Sequence, residues 1–255
     1  NIPVLQPNSL KKSQGFELMQ SVTADLYVVV AYGKIIPQAI IDIPKHGALN
    51  VHPSLLPKYR GPSPMQWAIK NGDEKTAVSI MKLDAGMDTG PLLLQNKINL
   101  DLGETMTSLI NKVHVVGAPL LVKGVNKFVD GSISPKAQSA ENVSVTHLLK
   151  KEDGEINWND SAIVTERKLR AYMPWPGIWT KWNRNGIPLR LTIKKAHVED
   201  VTLRPGLVSI NNSDMLIGTS SGSLSVTKVQ LEGKRAMSAQ EFVTGYSDLN
   251  DATLG

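Results

Sequence analysis

In the first half of the chain the apolar positions gather into short unbroken runs, and in the second half they break into shorter stretches separated by turn residues. Residues 25–31 form a β-branched run ending at Tyr32 and Gly33, the pattern of a strand buried on both faces. Residues 47–52 before Pro53, and 76–83 before Asp84, Ala85 and Gly86, read the same way. Between these runs lie helical candidates over 34–42 and 64–71, the second with Pro62 and Ser63 near its start and Gly72 at its end. Strands alternating with helices predict an α/β domain built on a parallel, Rossmann-like sheet. Residues 104–128 then place Met106, Leu109, Ile110, Val113, Val116 and Leu120 at helical spacing, with Pro119 expected to kink or divide the helix.

From 130 to 142 the composition shifts to Gly, Ser, Pro, Lys and Gln and the periodicity stops, which predicts a linker. Beyond it one basic helix is expected over 161–172. Short strands follow over 189–196, 206–210, 215–219 and 223–231. Turn chemistry at Asn185-Gly186, Asn211-Asn212 and Ser221-Gly222 punctuates them, favouring a small OB-like β-barrel. The expected division is therefore an α/β domain over 1–129, a linker over 130–149 and a C-terminal barrel over 150–255.

Composition narrows the classes. A chain of 255 residues suits one large domain or two ordinary ones, and 41% hydrophobic with 20% charged residues fits neither wholesale disorder nor a membrane bundle. The absence of cysteine removes disulfides, thiolate nucleophiles and cysteine-ligated metal sites, and no metal site is expected. The longest apolar run, 26–31, is far shorter than the roughly 18 residues a spanning helix needs. A net charge of +5 permits a polyanionic partner without requiring one.

Asn50 and His52 stand at the carboxyl end of a predicted strand, where open α/β sheets bind ligands. Two positions apart on an extended segment, they share a face. Asp88 lies in a glycine-bearing loop, 84–90, just after the next strand. An amide, an imidazole and a carboxylate could thus converge on one reacting centre. Each also has an ordinary structural use, as turn former, strand-end hydrogen-bonding group or loop cap, and spacing alone does not choose.

The surrounding text does. Asn50-Val-His-Pro-Ser-Leu-Leu-Pro-Lys-Tyr-Arg-Gly-Pro-Ser-Pro64, with Gln66-Trp67, Asn71-Gly72-Asp73 and Met87-Asp-Thr-Gly90, resembles the formyltransferases that use 10-formyltetrahydrofolate. Asp153-Gly-Glu-Ile-Asn-Trp158, Arg170-Ala-Tyr-Met-Pro-Trp-Pro-Gly177 and Gly233-Lys-Arg-Ala-Met-Ser-Ala-Gln240 narrow the likeness to the methionyl-tRNA formyltransferases. The likeness spans nearly the whole chain. It implies 10-formyltetrahydrofolate as co-substrate, initiator methionyl-tRNA as partner, no DNA or membrane partner, a monomer, and a cytoplasmic, bacterial-type setting, with an organellar one as the alternative. That family's sheet begins with a βα-βα segment ahead of Ile2, so roughly 60 residues of the family pattern are expected to be missing here.

By that resemblance Asn50, His52 and Asp88 are catalytic. Transfer of a formyl group from an amide to an amine passes through a tetrahedral oxyanion; Asn50 and a protonated His52 would donate to it. Asp88 would orient His52 and accept the proton the amine loses. No nucleophilic side chain is needed, since the substrate amine attacks. The resemblance further assigns Ser54, Leu55, Leu56 and Pro57 to folate binding, and places Lys34, Ile35 and Ile36 opposite Leu83 and Asp84 around the pterin. In the second half Lys150, Lys151, Arg167, Lys168, Arg170, Lys194, Lys195, Lys234 and Arg235 form a candidate stripe for tRNA phosphates, against a solvated face for any one of them. Two rivals remain: a folate-dependent formyltransferase acting on a small amine, and a non-catalytic RNA-binding remnant.

Overall fold

A computed structural model of the chain describes residues 2–211 and 214–255, so the turn expected at Asn212 lies outside the described residues. The chain forms two compact units. The first comprises Asn1–Met65, Glu74–Leu100 and Leu109–Leu148; the second comprises Gln66–Asp73, Asp101–Ser108 and Leu149–Gly255.

In chain order a short helix α1 (Ser13–Gln20) precedes β1 (Tyr27–Val30), α2 (Gln38–Ile41), β2 (Ala48–His52), α3 (Pro64–Asn71), β3 (Lys75–Lys82), β4 (Leu92–Asn99) and α4 (Met106–Val129), of which α3 from Gln66 onward and α4 up to Ser108 belong to the second unit. The strands form one sheet in the order β1-β2-β3-β4. β1 and β2 run parallel, while β3 is antiparallel to both β2 and β4. The apolar run of β3 does not reveal its direction, because a strand covered on both faces reads the same in either sense. β1 is less buried than expected: Val28 and Val30 are exposed.

The two faces of this sheet have different jobs. On one, Val51, Val78, Ile80 and Leu94 meet α4 at Gly117 and Gly124, where an added Cβ would already stand 3.5 Å from Val78 and 3.4 Å from Ile80. On the other stand Asn50 and His52 of β2 and, paired with them across the ladder, Met81 and Ser79 of β3. α4 continues through Pro119 without division. The carbonyl that Pro119 leaves unbonded belongs to Val115, and both residues face solvent, so water can serve that oxygen.

The second unit contains α5 (Ala162–Tyr172), capped by Ser161, then β5 (Ile178–Arg184), β6 (Ile187–Glu199), β7 (Val208–Asn211), β8 (Asp214–Gly218), β9 (Ser223–Leu231), β10 (Met237–Ser238) and α6 (Ala239–Gly245). Its antiparallel sheet runs β5-β6-β9-β8-β7, with β10 on β9. Among the described strands the order does not close into a ring, but register shifts beside Lys195 bend β6 and curl the sheet around Trp182, Phe242, Leu191, Ile193 and Leu224. A capping box at Ser238 and Glu241 starts α6. β4, β5 and the two-residue β10 are the strands the apolar pattern did not single out.

Candidate active site

The loop of residues 83–91 leaves β3, folds back over the polar face of the sheet and brings Asp88 to Asn50 and His52. Asp84 braces it: its carboxylate accepts from the Gly86 amide at 3.1 Å and from the Thr89 hydroxyl at 2.8 Å. Asp88 itself lies in the left-handed backbone region, φ +53°, which Asp tolerates better than most residues. Its Oδ1 accepts from Asn50 Nδ2 at 3.2 Å, its Oδ2 accepts from the Gly61 amide at 2.8 Å, and the same oxygen stands 3.5 Å from His52 Nδ1. The three residues singled out from spacing do meet.

Their partners refine what each can do. His52 is 4% exposed, and its Nε2 is 2.9 Å from the Tyr59 carbonyl oxygen. Burial pushes the imidazole pKa below its ordinary value, against the opposing pull of Asp88 and the Tyr59 carbonyl. The ring therefore rests neutral at pH 7, with its proton on Nε2 donated to Tyr59 and the Nδ1 lone pair turned to the carboxylate. Nε2 is thus engaged by the Tyr59 carbonyl, while Nδ1 faces Asp88 Oδ2 at a distance too long for a hydrogen bond. Asn50 is half-buried, and its second amide N–H has no partner among the described residues.

The 53–63 loop is anchored from beneath. Ser79 donates its hydroxyl to the Ser54 carbonyl at 2.6 Å, and Gln95 donates to the Leu56 carbonyl and to Ser79 Oγ, both at 2.9 Å. Ser54 is fully buried with its hydroxyl on the Lys58 carbonyl; Leu56 is buried, while Leu55 and Pro57 are half-buried. Of the residues expected around a pterin, Leu83 and Asp84 line a cavity of about 320 Å³, within the size range of small-ligand sites. Gln38, Ile41, Asp42 and Lys82 face them across it. Lys34 and Ile35 lie exposed on the stretch before α2, with Ile36 half-buried, and none of the three lines that cavity.

The basic residues of the second unit divide. Lys150, Lys151, Lys195, Lys234 and Arg235 are exposed, and Lys194 is half-buried. Lys168 donates to the Glu155 carbonyl at 2.6 Å, and burial together with the charge of Lys70 lowers its pKa. Arg170 pairs with Glu166 at 2.7 Å and donates to the Glu104 carbonyl at 2.6 Å. Arg167 lays its guanidinium where a Gly72 side chain would have to be.

An amide with an unpartnered N–H, a carboxyl group and an imidazole on one polar face are groups suited to acyl transfer. The family comparisons agree in kind: residues 2–125 match the model of formyl transferase and residues 148–247 that of formyl transferase, C-terminal domain. The chain belongs to the formyl transferase family. It is 40% identical over 244 residues to the methionyl-tRNA formyltransferase of Thermodesulfovibrio yellowstonii, covering 96% of this chain and 78% of that one. It is 40% identical to the enzyme of the same name from Koribacter versatilis, covering 100% and 81%. Among solved structures, the fold matches HypX from Aquifex aeolicus in complex with tetrahydrofolic acid with a TM-score of 0.66 at 19% identity, over 91% of this chain and 41% of that one. It also matches WlaRD, a sugar 3N-formyl transferase, with a TM-score of 0.61 at 19% identity, over 82% and 73%.

Reasoning from sequence missed Tyr59 and Gly61, whose backbone groups hold His52 and Asp88, and it missed Ser79, Gln95 and Gln138. Backbone groups carry no side-chain signal; Gln95 sits in a strand the apolar pattern did not single out, and Gln138 in a stretch that read as a linker.

Proposed function

We propose that this chain transfers the formyl group of 10-formyltetrahydrofolate to the α-amino group of methionine on initiator tRNA, making the formylated initiator used to begin translation. The reading is carried by 40% identity to methionyl-tRNA formyltransferases running through both family domains. The convergence of Asn50, His52 and Asp88 supports it. Neither a small-amine enzyme nor a non-catalytic remnant gains support: the sugar formyltransferase shares the fold at 19% identity only.

The chemistry follows from the side chains. The neutral amine attacks the formyl carbon, a C–N bond forms, and the carbonyl oxygen becomes an oxyanion that the unpaired N–H of Asn50 stabilises. The attacking nitrogen becomes more acidic as it bonds, and Asp88 takes its proton. His52, neutral and facing Asp88 through Nδ1, shares that proton and holds the charge away from water. Collapse breaks the carbon–N10 bond as Asp88 returns the amine's proton to N10, and tetrahydrofolate leaves with the formylated aminoacyl-tRNA. The loop Ser54, Leu55, Leu56 and Pro57 and the cavity at Leu83 and Asp84 hold the folate; Lys34, Ile35 and Ile36, which do not line that cavity, are left out of this reading.

The division of labour proposed is catalysis in residues 1–129, joined by 130–149 to a tRNA-binding domain, 150–255. Lys150, Lys151, Arg167, Lys194, Lys195, Lys234 and Arg235 are its candidate phosphate ligands, while Lys168 and Arg170 are engaged by the Glu155 and Glu104 carbonyls and leave the stripe. A monomer acting in the bacterial cytoplasm, without a DNA or membrane partner, completes the reading; among the described residues no helix is long and apolar enough to cross a membrane.

Single-turnover assays with 10-formyltetrahydrofolate and methionyl-tRNA test it. Formyl-methionine should accumulate, and Asn50→Ala or Asp88→Asn should slow the step by about 100- to 1,000-fold with folate binding retained. Formylation of an amino sugar in preference to methionyl-tRNA would sink the assignment.

A further inference from the structure

We propose that Gln138 is a positioning residue for the reaction, and that residues 136–146 form a strap that locks the two loops of the active site to one another. The proposal rests on the reading of Asp88 as the group that takes the amine proton. Both loops and the strap belong to the first unit.

The side chain of Gln138 uses its full hydrogen-bonding capacity. Nε2 donates to the carbonyl of Asp88 and to the carbonyl of Gly90, each at 2.8 Å. Oε1 accepts from Arg60 Nε at 3.0 Å and from Arg60 Nη2 at 2.9 Å. One amide thus binds the backbone of the residue that carries the carboxylate and, through Arg60, the loop whose Gly61 amide binds that carboxylate at 2.8 Å. The ring closes on itself: Gln138 to the Asp88 carbonyl, Asp88 Oδ2 to Gly61, and Arg60 back to Gln138.

The chain on either side continues the pattern. Lys136 exchanges two backbone hydrogen bonds with Leu92, at 2.7 and 2.8 Å, just after the 83–91 loop. Ser144 accepts from the Arg60 amide through its carbonyl at 2.8 Å and from the Tyr59 amide through its hydroxyl at 2.9 Å. The Thr146 amide donates to the Arg60 carbonyl at 2.8 Å, and its hydroxyl donates to the carbonyls of Arg60 and Pro62. Tyr59 is the residue whose carbonyl receives His52 Nε2. Tyr59, which receives His52 Nε2, and Arg60, next to the Gly61 that binds Asp88, are therefore both tied to this one segment.

Geometry of this kind governs rate more than binding. Asp88 occupies a left-handed backbone conformation that its neighbours must hold, and a carboxylate displaced by an ångström from a reacting amine loses on the order of 100-fold in rate. An amide is required at 138 because the site presents two carbonyls on one side and a guanidinium on the other. A carboxylate would keep Arg60 and lose both donations to the loop.

The test compares Gln138→Glu and Gln138→Met with the parent chain and with Asp88→Asn, measuring kcat, KM for 10-formyltetrahydrofolate and for methionyl-tRNA, and the thermal midpoint. Gln138→Glu, which retains the Arg60 partner, should still fold, with a lowered midpoint, and at temperatures where it is fully folded should lower kcat by about 10- to 100-fold. Both KM values should stay within about twofold. Gln138→Met should show at least the same loss of kcat. Wild-type kcat in Gln138→Glu beside an inactive Asp88→Asn would overturn the positioning role alone. So would a loss that appears as raised KM at constant kcat, or only in proportion to unfolded protein. Full turnover in Asp88→Asn would remove the reading of the site and this proposal with it.

Discussion

His52 illustrates how far burial alters the use of a single side chain. Enclosed by the Tyr59 carbonyl and the Asp88 carboxylate, its pKa is set below the ordinary value by desolvation first, with both neighbours pulling the other way. A lowered histidine pKa favours the neutral ring in the folded protein. In the unfolded chain the ring takes its proton near pH 6.5. The stability this residue contributes is therefore present above about pH 6.5 and is lost as the pH falls from there towards the lower folded value. Two outcomes are expected: denaturant midpoints that decline below about pH 6.5 and decline less in His52→Gln, and a kcat profile whose acid limb lies below pH 6.5, because the neutral ring shares the amine proton. A limb at or above pH 7 would mean a protonated resting histidine. The period of a strand is enough to put Asn50 and His52 on one face. That Nε2 is already spent on a carbonyl seven residues away is a product of the loop's path, which no spacing records.

At the level of elements, α4 and the sheet beneath it depend on what is missing from two helical positions. Gly117 and Gly124 let the helix approach Val78, Ile80 and Leu94 to within ordinary contact of a would-be Cβ. At Gly124 alanine fits that space and improves helix propensity by up to about 1 kcal/mol, while leucine must displace Ile80 or Leu94 at a cost of about 1–3 kcal/mol. Urea titration should thus show Gly124→Ala as stable as the parent chain or slightly more so, and Gly124→Leu markedly less stable. Equal midpoints for all three would mean that the helix stands farther from the sheet. The segment 130–149 shows the limit of composition as a guide. Its Gly, Ser, Pro and Lys content marks it as lacking regular structure, which is what the backbone shows over most of its length, yet Gln138, Ser144 and Thr146 bind it across both active-site loops. Low apolar content does not predict the absence of hydrogen-bonded order.

For the whole molecule, the open question is which cations reach a polyanion. If the exposed Lys150 and Lys151 neutralise tRNA phosphates, log affinity should fall linearly with log salt, and removing each contact should reduce the slope by about 0.7 to 0.9. Initiator and elongator tRNA should weaken alike, since phosphate contacts position without specifying. Arg170 is mostly buried on Glu166 and the Glu104 carbonyl. Arg170→Met should therefore lower stability by about 1–3 kcal/mol and leave the salt slope unchanged. Filter binding across a salt series checks both. An unaltered slope after Lys150→Glu and Lys151→Glu would reduce those lysines to a solvated face.

The sequence by itself determined the class of fold, most of the elements and the identity of the three convergent side chains. These depend on local rules: β-branched runs, a period of two along a strand, Pro and Ser before α3 and Gly72 after it, and motifs long enough to mark a family. The tertiary structure alone decided that β3 runs against β2, that β1 exposes Val28 and Val30, and that Lys168 and Arg170 turn inward. It also decided that a stretch of apparent linker holds the carboxylate loop. Each of these depends on which distant residues come to lie within a few ångströms, and strand direction, desolvation and backbone hydrogen bonding leave almost no trace in the residue types that take part.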